Sequence, residues 1–335
     1  MAGNPMQKVK LLYLMDILKK HTDEEHPLSA AELCQKLAEQ GVPAERKSIY
    51  SDIETLRQYG LDILCTRQPK AGYFLAGREF EVPEVRLLID AVQAAGFISA
   101  RKTLLLTGRL EGLLSQSQAK KIQRQVYVDS RNKCENEEIY YSIDLLNKAI
   151  EDGKKVELTY CRRQLEGGRK IVSSSRGFIL SPYALTWMSD HYYLIGNNQK
   201  YDNLMHLRVD RMRRVHILEE DARPFREVSG YTDFFDTADY VSKVFNMFGG
   251  ELRQIDLRCK TSLLEQVIDR FGESIFIRDG GDGYFVFTVS AQVSEGLMGW
   301  LLQFGEGMEV LSPPDLREQM GEKAAVLSRM YKGQA

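Results

Sequence analysis

The sequence predicts an α+β protein built from several domains, and three patterns along the chain lead to this fold class. Apolar residues recur at helical spacing through roughly the first 126 residues. Short β-prone runs divided by turn residues follow between Lys155 and Val209. Beyond residue 251, predicted strands and helices alternate. We therefore expect a helical N-terminal part, a small antiparallel β-barrel and a C-terminal α+β domain.

The first two predicted helices are marked by apolar periodicity and by capping residues. Residues 8–21 place their leucines on one face, with lysines beside it. Ser29 and Glu32 have the spacing of a capping box, in which the serine accepts from free backbone N–H groups and the glutamate reaches back. This second helix is expected to end near Gly41, because glycine readily adopts the left-handed conformation.

A third helix is predicted over residues 44–57, closed by Gly60. Ile49, Ile53 and Leu56 form its apolar stripe at i, i+4 and i+7. Three helices in this order are typical of a helix-turn-helix.

A β-hairpin is predicted directly after the three helices. Residues 62–67 and 73–75 have strand-like composition, and the intervening residues 68–72 contain the proline and glycine of a turn. The helices and the hairpin together predict a winged helix-turn-helix.

The barrel region contains five β-prone runs, starting with Lys155–Tyr160. The polar tract 162–175 is interpreted as a hairpin loop, and Ser181-Pro182 as a break after the next run. Arginine and aspartate stand within or beside these strands, where such residues need a partner or a ligand.

Three separated motifs in this region carry a resemblance to a known family. They are Ser181-Pro182-Tyr183, Tyr192-Tyr193-Leu194 followed by Ile-Gly, and Leu207-Arg208-Val209-Asp210-Arg211-Met212. The pattern resembles the WYL domain of bacterial transcription regulators over roughly residues 140–245, with Tyr192 where that family has tryptophan. The resemblance implies an Sm/SH3-like small β-barrel that senses ligands, with nucleotide or nucleic-acid effectors a leading idea.

The N-terminal part is similar to the winged helix-turn-helix that heads such regulators. Arg46-Lys47-Ser48-Ile49-Tyr50-Ser51-Asp52-Ile53 stands where the family has an RRTIYRDI-like string, and Ser51 replaces a common arginine. Residues 1–80 carry seven Lys and four Arg against seven Glu and four Asp, so DNA binding requires the basic residues to lie on one side. The residues assigned to DNA are Arg46, Lys47, Ser48, Tyr50 and Ser51 in the groove, and Arg67 and Lys70 on phosphate. The alternative is a winged helix that binds protein and carries solvated surface charges.

Residues 81–126 look helical throughout and hold more apolar surface than a simple linker can cover. In similar proteins the middle helices contribute to a homodimer, which suits two half-sites on DNA. Packing within one chain is the alternative.

The LRVDRM motif suggests an anion-binding pocket in the barrel. Arg208 and Asp210 are two apart and share a face on a strand, whereas Arg211 lies opposite if the strand stays regular. A guanidinium group suits phosphate, and tyrosine rings stack on bases. The assigned ligand-binding residues are Ser181, Tyr183, His191, Tyr193, Arg208 and Arg211. The alternative is a structural salt bridge from Asp210 to one arginine, with the tyrosines covering the barrel.

The chain after residue 251 predicts the order βαββαβα, which fits a ferredoxin-like sandwich. It resembles the C-terminal extension commonly paired with WYL domains, and a helical piece over 239–248 is expected before it. The predicted boundaries are 1–78 for the winged helix-turn-helix, 79–135 for the helical linker and dimerisation segment, 136–245 for the WYL domain and 246–335 for the extension.

Composition and motifs exclude several other classes of protein. The 335 residues have 43% hydrophobic content and a formal net charge of −2, without a long apolar run or a signal-like start, so a cytoplasmic protein with no membrane partner is expected. The five cysteines are scattered and the histidines lack ligand spacing, so no metal or cofactor is expected. No catalytic motif is found, and Gly280–Gly283 is interpreted as a hairpin turn.

These patterns predict a homodimeric transcription regulator, not an enzyme. Its partners would be a double-stranded DNA operator and an anionic small-molecule or oligonucleotide effector. One alternative is an accessory protein that binds single-stranded nucleic acid through the barrel without an operator. Another is a hydrolase that uses His191 or His206.

Overall fold

The computed structural model describes residues 5–123, 133–166 and 169–332. Within this range helices combine with antiparallel sheets of two, four and five strands. The chain divides into two compact units, Met1–Glu137 and Glu138–Ala335. None of the described helices has both the length and the apolar character needed to cross a membrane.

Unit 1 begins with the three predicted helices and the predicted hairpin. These elements are α1 (Pro5–His21), α2 (Ala30–Glu39), α3 (Arg46–Gln58), β1 (Ile63–Thr66) and β2 (Gly72–Leu75). The capping box is present, because Ser29 accepts from the Glu32 backbone N–H and the Glu32 carboxylate accepts from the Ser29 backbone N–H. Leu14, Leu33 and Ile49, each fully buried, belong to the core that joins the three helices.

The middle of unit 1 is largely helical, as predicted for residues 81–126, and it is divided into three short helices. They are α4 (Val82–Ala94), α5 (Ala100–Glu111) and α6 (Gln116–Gln123), and residues 124–126 lie outside the described range. A serine hydroxyl caps the start of α5 and another caps the start of α6, which separates each helix from the one before it. Ser99 accepts from the Lys102 N–H, and Ser115 accepts from the Gln118 N–H.

Hydrogen bonds tie the α1–α2 turn to these middle helices. The carboxylate of Asp23, which is 4% exposed, accepts from the Ser115 hydroxyl. The Arg78 guanidinium donates to the carbonyl oxygens of Lys19, Thr22 and Leu113. The described parts of unit 1 therefore form a continuous packed body.

Unit 2 begins with one helix and a five-stranded antiparallel sheet. The elements are α7 (Ile139–Glu151), β3 (Lys154–Glu166), β4 (Arg169–Met188), β5 (His191–Asn197), β6 (Met205–Arg208) and β7 (Met212–Asp221), in the sheet order β6-β5-β4-β3-β7. Helix α7 packs against β3, β4 and β7. Two residues of positive φ, Ser189 and Asp190, form the turn between β4 and β5.

Two predictions about this sheet are wrong. The tract 162–175 is not a loop, because β3 and β4 stay paired from Arg162 opposite Ser173 to Glu166 opposite Arg169. Ser181-Pro182 does not break the strand either. An irregularity between Pro182 and Ala184 accommodates the proline, and β4 continues to Met188.

The connecting segment, residues 222–250, contains the short helix α8 (Thr237–Ser242). This helix is shorter than the predicted 239–248. Asn246 and Met247 have positive φ angles of 50° and 57°, and a helix is incompatible with that backbone conformation.

The predicted βαββαβα order is confirmed in the C-terminal part. It comprises β8 (Glu251–Lys260), α9 (Leu264–Phe271), β9 (Ile277–Gly281), β10 (Tyr284–Val293), α10 (Glu295–Leu302), β11 (Met308–Ser312) and α11 (Pro314–Lys332). The antiparallel sheet has the order β11-β8-β10-β9, so the first and third strands are central. Its core includes Ile255, Phe287 and Leu297, all nearly fully buried.

Candidate nucleic-acid interface and effector site

The third helix separates its apolar and polar residues cleanly. Ile49, Ile53 and Leu56 are buried in unit 1. The other faces of α3 carry the side chains assigned to a DNA groove. Four of them are exposed, namely Arg46, Lys47, Tyr50 and Ser51, and Ser48 is half-buried. The Ser48 hydroxyl donates to the Glu45 carbonyl at 2.8 Å.

The electrostatics of α3 depend on how its acidic residues are paired. Lys10 Nζ lies 2.6 Å from Asp52 Oδ2, and both side chains are mostly buried. That ion pair neutralises one carboxylate of α3. Within the described chain, neither Arg46 nor Lys47 forms an ion pair, so both cations remain available to an external anion.

The hairpin places Arg67 and Lys70 in different situations. Arg67 is exposed and forms no ion pair with a described residue. Lys70 Nζ lies 2.5 Å from Glu32 Oε1. Hydrogen bonds from Lys70 and Ser29 lower the pKa of Glu32 to about 2. Lys70 therefore links the hairpin to the start of α2, and a phosphate would have to share it with Glu32.

Arg208 and Asp210 form the centre of the second candidate site. Strand β6 ends at Arg208, and a 3-10 turn over Val209–Arg211 brings the two side chains together. Arg208 Nε and Nη2 donate to the two oxygens of Asp210 at 3.0 and 2.8 Å. Burial alone would lower the pKa of Arg208 and raise that of Asp210, but the hydrogen bonds and the charge attraction between them together reverse both shifts.

Aromatic side chains surround this ion pair. Tyr193 pairs with Arg208 in the strand register, and the Arg208 backbone N–H donates to the Tyr160 hydroxyl at 3.3 Å. The ring of His191 lies 6.4 Å from that of Tyr193. We call Tyr160, His191, Tyr193, Arg208 and Asp210 the Arg208 cluster.

His191 has an unsatisfied atom in this cluster. Its Nδ1 is buried without a hydrogen-bond partner among the described residues. Burial lowers the pKa of His191, and the Arg208 cation lowers it further. A buried ring nitrogen of this kind is costly unless a ligand or water completes it. The exposed Arg211 acts electrostatically on both His191 and Asp210.

The structure does not bring Ser181 and Tyr183 to the Arg208 cluster. Ser181, 2% exposed, accepts from the Arg223 backbone N–H, and the Tyr183 hydroxyl donates to the Arg223 carbonyl at 2.8 Å. Ser181 also pairs with Asn197, four residues along β5 from Tyr193, which is about 13 Å at strand spacing. Burial raises the pKa of Tyr183 to about 12. Both residues hold the connecting segment against β4.

A hydrogen-bond relay was not predicted from the sequence. His206 Nδ1 lies 2.9 Å from the Met247 carbonyl oxygen, which only accepts, so Nδ1 carries the proton. His206 Nε2 then accepts from the Tyr240 hydroxyl at 2.9 Å. The Gln292 side chain accepts from the Gly250 N–H and acts on the Tyr240 hydroxyl, where it opposes the rise in pKa caused by burial. We call this chain from Gly250 through Gln292 and Tyr240 to His206 and Met247 the His206 relay.

The His206 relay joins residues that are far apart in the sequence, and no local sequence motif predicts it. Burial lowers the pKa of His206 and so favours the neutral imidazole. The hydrogen bond to Met247 raises the pKa but does not outweigh burial. The relay is therefore an uncharged set of paired polar groups that links β6, the connecting segment and β10.

Comparisons with known proteins identify two domains in unit 2. The family model of the WYL domain matches residues 142–217, and that of the WCX domain matches residues 251–327. No curated protein matches the chain.

Solved structures with remote similarity to the chain include a proteasome accessory factor and a CRISPR Cas-related protein. Proteasome accessory factor B/C (PafBC) of Arthrobacter aurescens is 17% identical over 95% of this chain and 46% of that chain, with a TM-score of 0.28. This chain thus spans less than half of that one. A CRISPR Cas-related protein is 12% identical over 97% of this chain and 85% of that chain, with a TM-score of 0.37. TM-scores this low do not establish a shared fold, so the domain assignment depends on the family models. By those models, the chain carries a WYL domain followed by a WCX domain.

Proposed function

We propose that this chain is a homodimeric, DNA-binding transcription regulator of the cytoplasm that performs no catalysis. In this proposal residues 1–78 form a winged helix-turn-helix, and residues 79–135 contribute to dimerisation. Residues 136–245 form an Sm-like barrel that binds an anionic, nucleotide-like or oligonucleotide-like effector, and residues 246–335 form a ferredoxin-like extension. The matched WYL domain supports this proposal, because such domains occur in bacterial transcription regulators.

The observation that carries the proposal is the exposed polar face of α3. Arg46 and Lys47 stand in its first turn with no ion-pair partner in the described chain, and the exposed Tyr50 follows one turn later. The recognition helix of a helix-turn-helix, which is α3 in this proposal, reads the major groove with its N-terminal residues. A domain whose total charge is balanced binds DNA through such a local concentration of cations.

Exposed leucines on the middle helices support the homodimer. Leu87 on α4 is 69% exposed, and Leu104 and Leu105 on α5 are 65% and 52% exposed. Apolar side chains grouped on an outer surface are typical of an association site. Two copies joined there would present two α3 helices to two half-sites.

The DNA-binding part is tested by the salt dependence of binding to the DNA upstream of the chain's own gene. The double variant Arg46→Ala/Lys47→Ala should reduce the magnitude of the slope of log K against log salt by up to about 1.8, because cations placed in the groove also neutralise the phosphates that flank it, and each neutralised phosphate contributes about 0.9. The matched control, Lys148→Ala/Arg329→Ala, removes the same charge from exposed positions of unit 2 and should leave the slope unchanged. Equal slopes for both variants would remove α3 from the interface.

The effector part is tested with a 5′-phosphorylated oligothymidine as the probe. Arg208→Lys keeps the positive charge but loses the planar pair of donors, so probe affinity should fall. Asp210→Asn frees the guanidinium from its internal carboxylate, so affinity should rise. If both variants bind the probe as the wild type does, the Arg208 cluster is not the effector site.

A further inference from the structure

Unit 2 contains a cavity away from the Arg208 cluster. This cavity of about 750 Å³ lies between β6, the connecting segment and the start of β8. Its described lining contains no member of the Arg208 cluster. This volume lies within the range of small-molecule sites in proteins. Phe248 and Leu252 are 52% and 53% exposed and line the cavity, so it offers uncovered apolar surface.

The polar wall of the cavity is the His206 relay. His206, Tyr240 and Gln292 all line it. Their hydrogen bonds are directed to one another and to the Met247 carbonyl and Gly250 N–H, so this wall carries no charge and little unused hydrogen-bonding capacity. Recognition must therefore come from the apolar surface and from the charged groups at the rim.

Carboxylates outnumber cations at this rim. The charged lining residues are Asp202, Lys243 and Glu251, and the ion-pair partners of the first two are Arg223 and Asp239, so three carboxylates face two cations. Lys243 Nζ is held by Asp239 at 2.5 Å, and Arg223 is shared between two carboxylates at 2.9 and 3.0 Å. The exposed Glu251 forms no ion pair within the described chain. The local field at the cavity mouth is therefore negative.

We propose that this cavity binds an organic amine, with an ammonium group and an aromatic or aliphatic body. The body packs against Phe248 and Leu252, and the ammonium group is held by Glu251. Aromatic faces near the mouth add a cation–π attraction, which an anionic ligand lacks. Such a ligand contacts β6 of the WYL domain and β8 of the WCX domain together. This site is separate from the anion site at Arg208, and the proposal does not depend on it.

Three probes of similar size separate charge from shape. They are phenethylammonium, 2-phenylethanol and 3-phenylpropionate, titrated into the full chain by calorimetry. We expect phenethylammonium to bind about tenfold more tightly than 2-phenylethanol, because it gains one favourable ion contact. We expect 3-phenylpropionate to bind most weakly of the three. Equal affinities, a preference for the carboxylate, or no binding by any probe would overturn the proposal.

Two substitutions locate the binding. Glu251→Gln should reduce the affinity for phenethylammonium to that for 2-phenylethanol and leave the alcohol unchanged. Glu273→Gln removes the same charge from an exposed position outside the cavity lining and should change neither affinity. If the two variants behave alike, Glu251 does not hold the amine and the proposal fails.

A cavity-filling variant tests the location independently of charge. A Cβ at Gly249 would lie 3.7 Å from His206 Cε1 and from the Leu204 carbonyl oxygen, which is ordinary contact, and Gly249 does not have a positive φ. Gly249→Leu should therefore place its side chain in the cavity and abolish phenethylammonium binding. Undiminished binding by a folded Gly249→Leu protein would exclude this cavity. If that variant does not fold, the comparison of Glu251→Gln with Glu273→Gln still decides the proposal.

Discussion

Replacing Asp210 with asparagine tests the electrostatics of the Arg208 cluster. The change keeps the size of the side chain but removes the charge that holds Arg208 through two hydrogen bonds of 3.0 and 2.8 Å. The Arg208 guanidinium then remains mostly buried without its counter-ion. We expect the variant to be less stable and its Arg208 to be more open to an external anion.

The magnitude follows from the burial of the pair. The Arg208 and Asp210 side chains are 23% and 14% exposed. Breaking a fully buried ion pair costs about 3–5 kcal/mol, whereas an exposed pair contributes at most about 1 kcal/mol. For this partly buried pair we expect Asp210→Asn to lower the free energy of unfolding by about 2 kcal/mol at pH 7.

The pH dependence has a definite sign. Burial raises the pKa of Asp210, but the hydrogen bonds and positive charge of Arg208, with smaller contributions from His191 and Arg211, together outweigh it, so the pKa is lower in the folded state than its ordinary value. The stabilisation is therefore fully present above the unfolded-state pKa and is lost as pH falls through the lower folded-state pKa. The difference between wild type and Asp210→Asn should be constant from pH 7 to about pH 5 and should shrink below about pH 4.

Urea unfolding followed by tryptophan fluorescence measures this difference. Both tryptophans, Trp187 and Trp300, lie in unit 2, so the signal reports the unit that contains the Arg208 cluster. Asp221→Asn is the control, because that carboxylate is paired with Lys154 but is 86% exposed, and no measurable change is expected. Unchanged stability of Asp210→Asn at pH 7 would refute the assigned electrostatics.

Two further predictions concern local structure. Ser29→Ala removes the capping box that Ser29 forms with Glu32, so the free energy of unfolding of unit 1 should fall by about 1 kcal/mol in thermal unfolding followed by circular dichroism. No change would mean that this cap contributes nothing. Gly250→Ala would place a Cβ 1.9 Å from the Val293 carbonyl oxygen, so it should lose at least about 2 kcal/mol, whereas Gly249→Ala should stay within about 0.5 kcal/mol. Equal stabilities of these two variants in urea unfolding would contradict the close approach at Gly250.

The parts of the fold that local chemistry determines were predictable from the sequence. The Ser29–Glu32 capping box and the stripe of Ile49, Ile53 and Leu56 each depend on residues within one or two helical turns, and both are present. Strand continuity depends on pairing between strands. For that reason the pairing across 162–175 was missed.

The Arg208 cluster was predictable only in part. The side chains of Arg208 and Asp210 do meet as expected, although a 3-10 turn rather than strand alternation brings them together. Ser181 and Tyr183 were grouped with them because they are polar residues within or beside strands of the same predicted barrel. The strand register instead directs both to the connecting segment at Arg223, and a single sequence carries no signal for that register.

The His206 relay lies beyond what the sequence reveals. Its side chains are His206, Tyr240 and Gln292, which belong to three different elements. Pairing of this kind follows from the packing of β6, the connecting segment and β10. Neither the apolar periodicity nor the motif spacing of the sequence predicts these hydrogen bonds.

The most direct test of the proposed function compares the chain's affinity for three DNA probes by fluorescence anisotropy at physiological salt. The probes are duplex DNA from upstream of its own gene, a scrambled duplex of the same length and composition, and one single strand of the first duplex. A winged helix-turn-helix regulator should bind the upstream duplex at least about 10³-fold more tightly than the scrambled one, and more tightly than the single strand. Equal affinity for both duplexes, or preference for the single strand, would contradict operator recognition by α3.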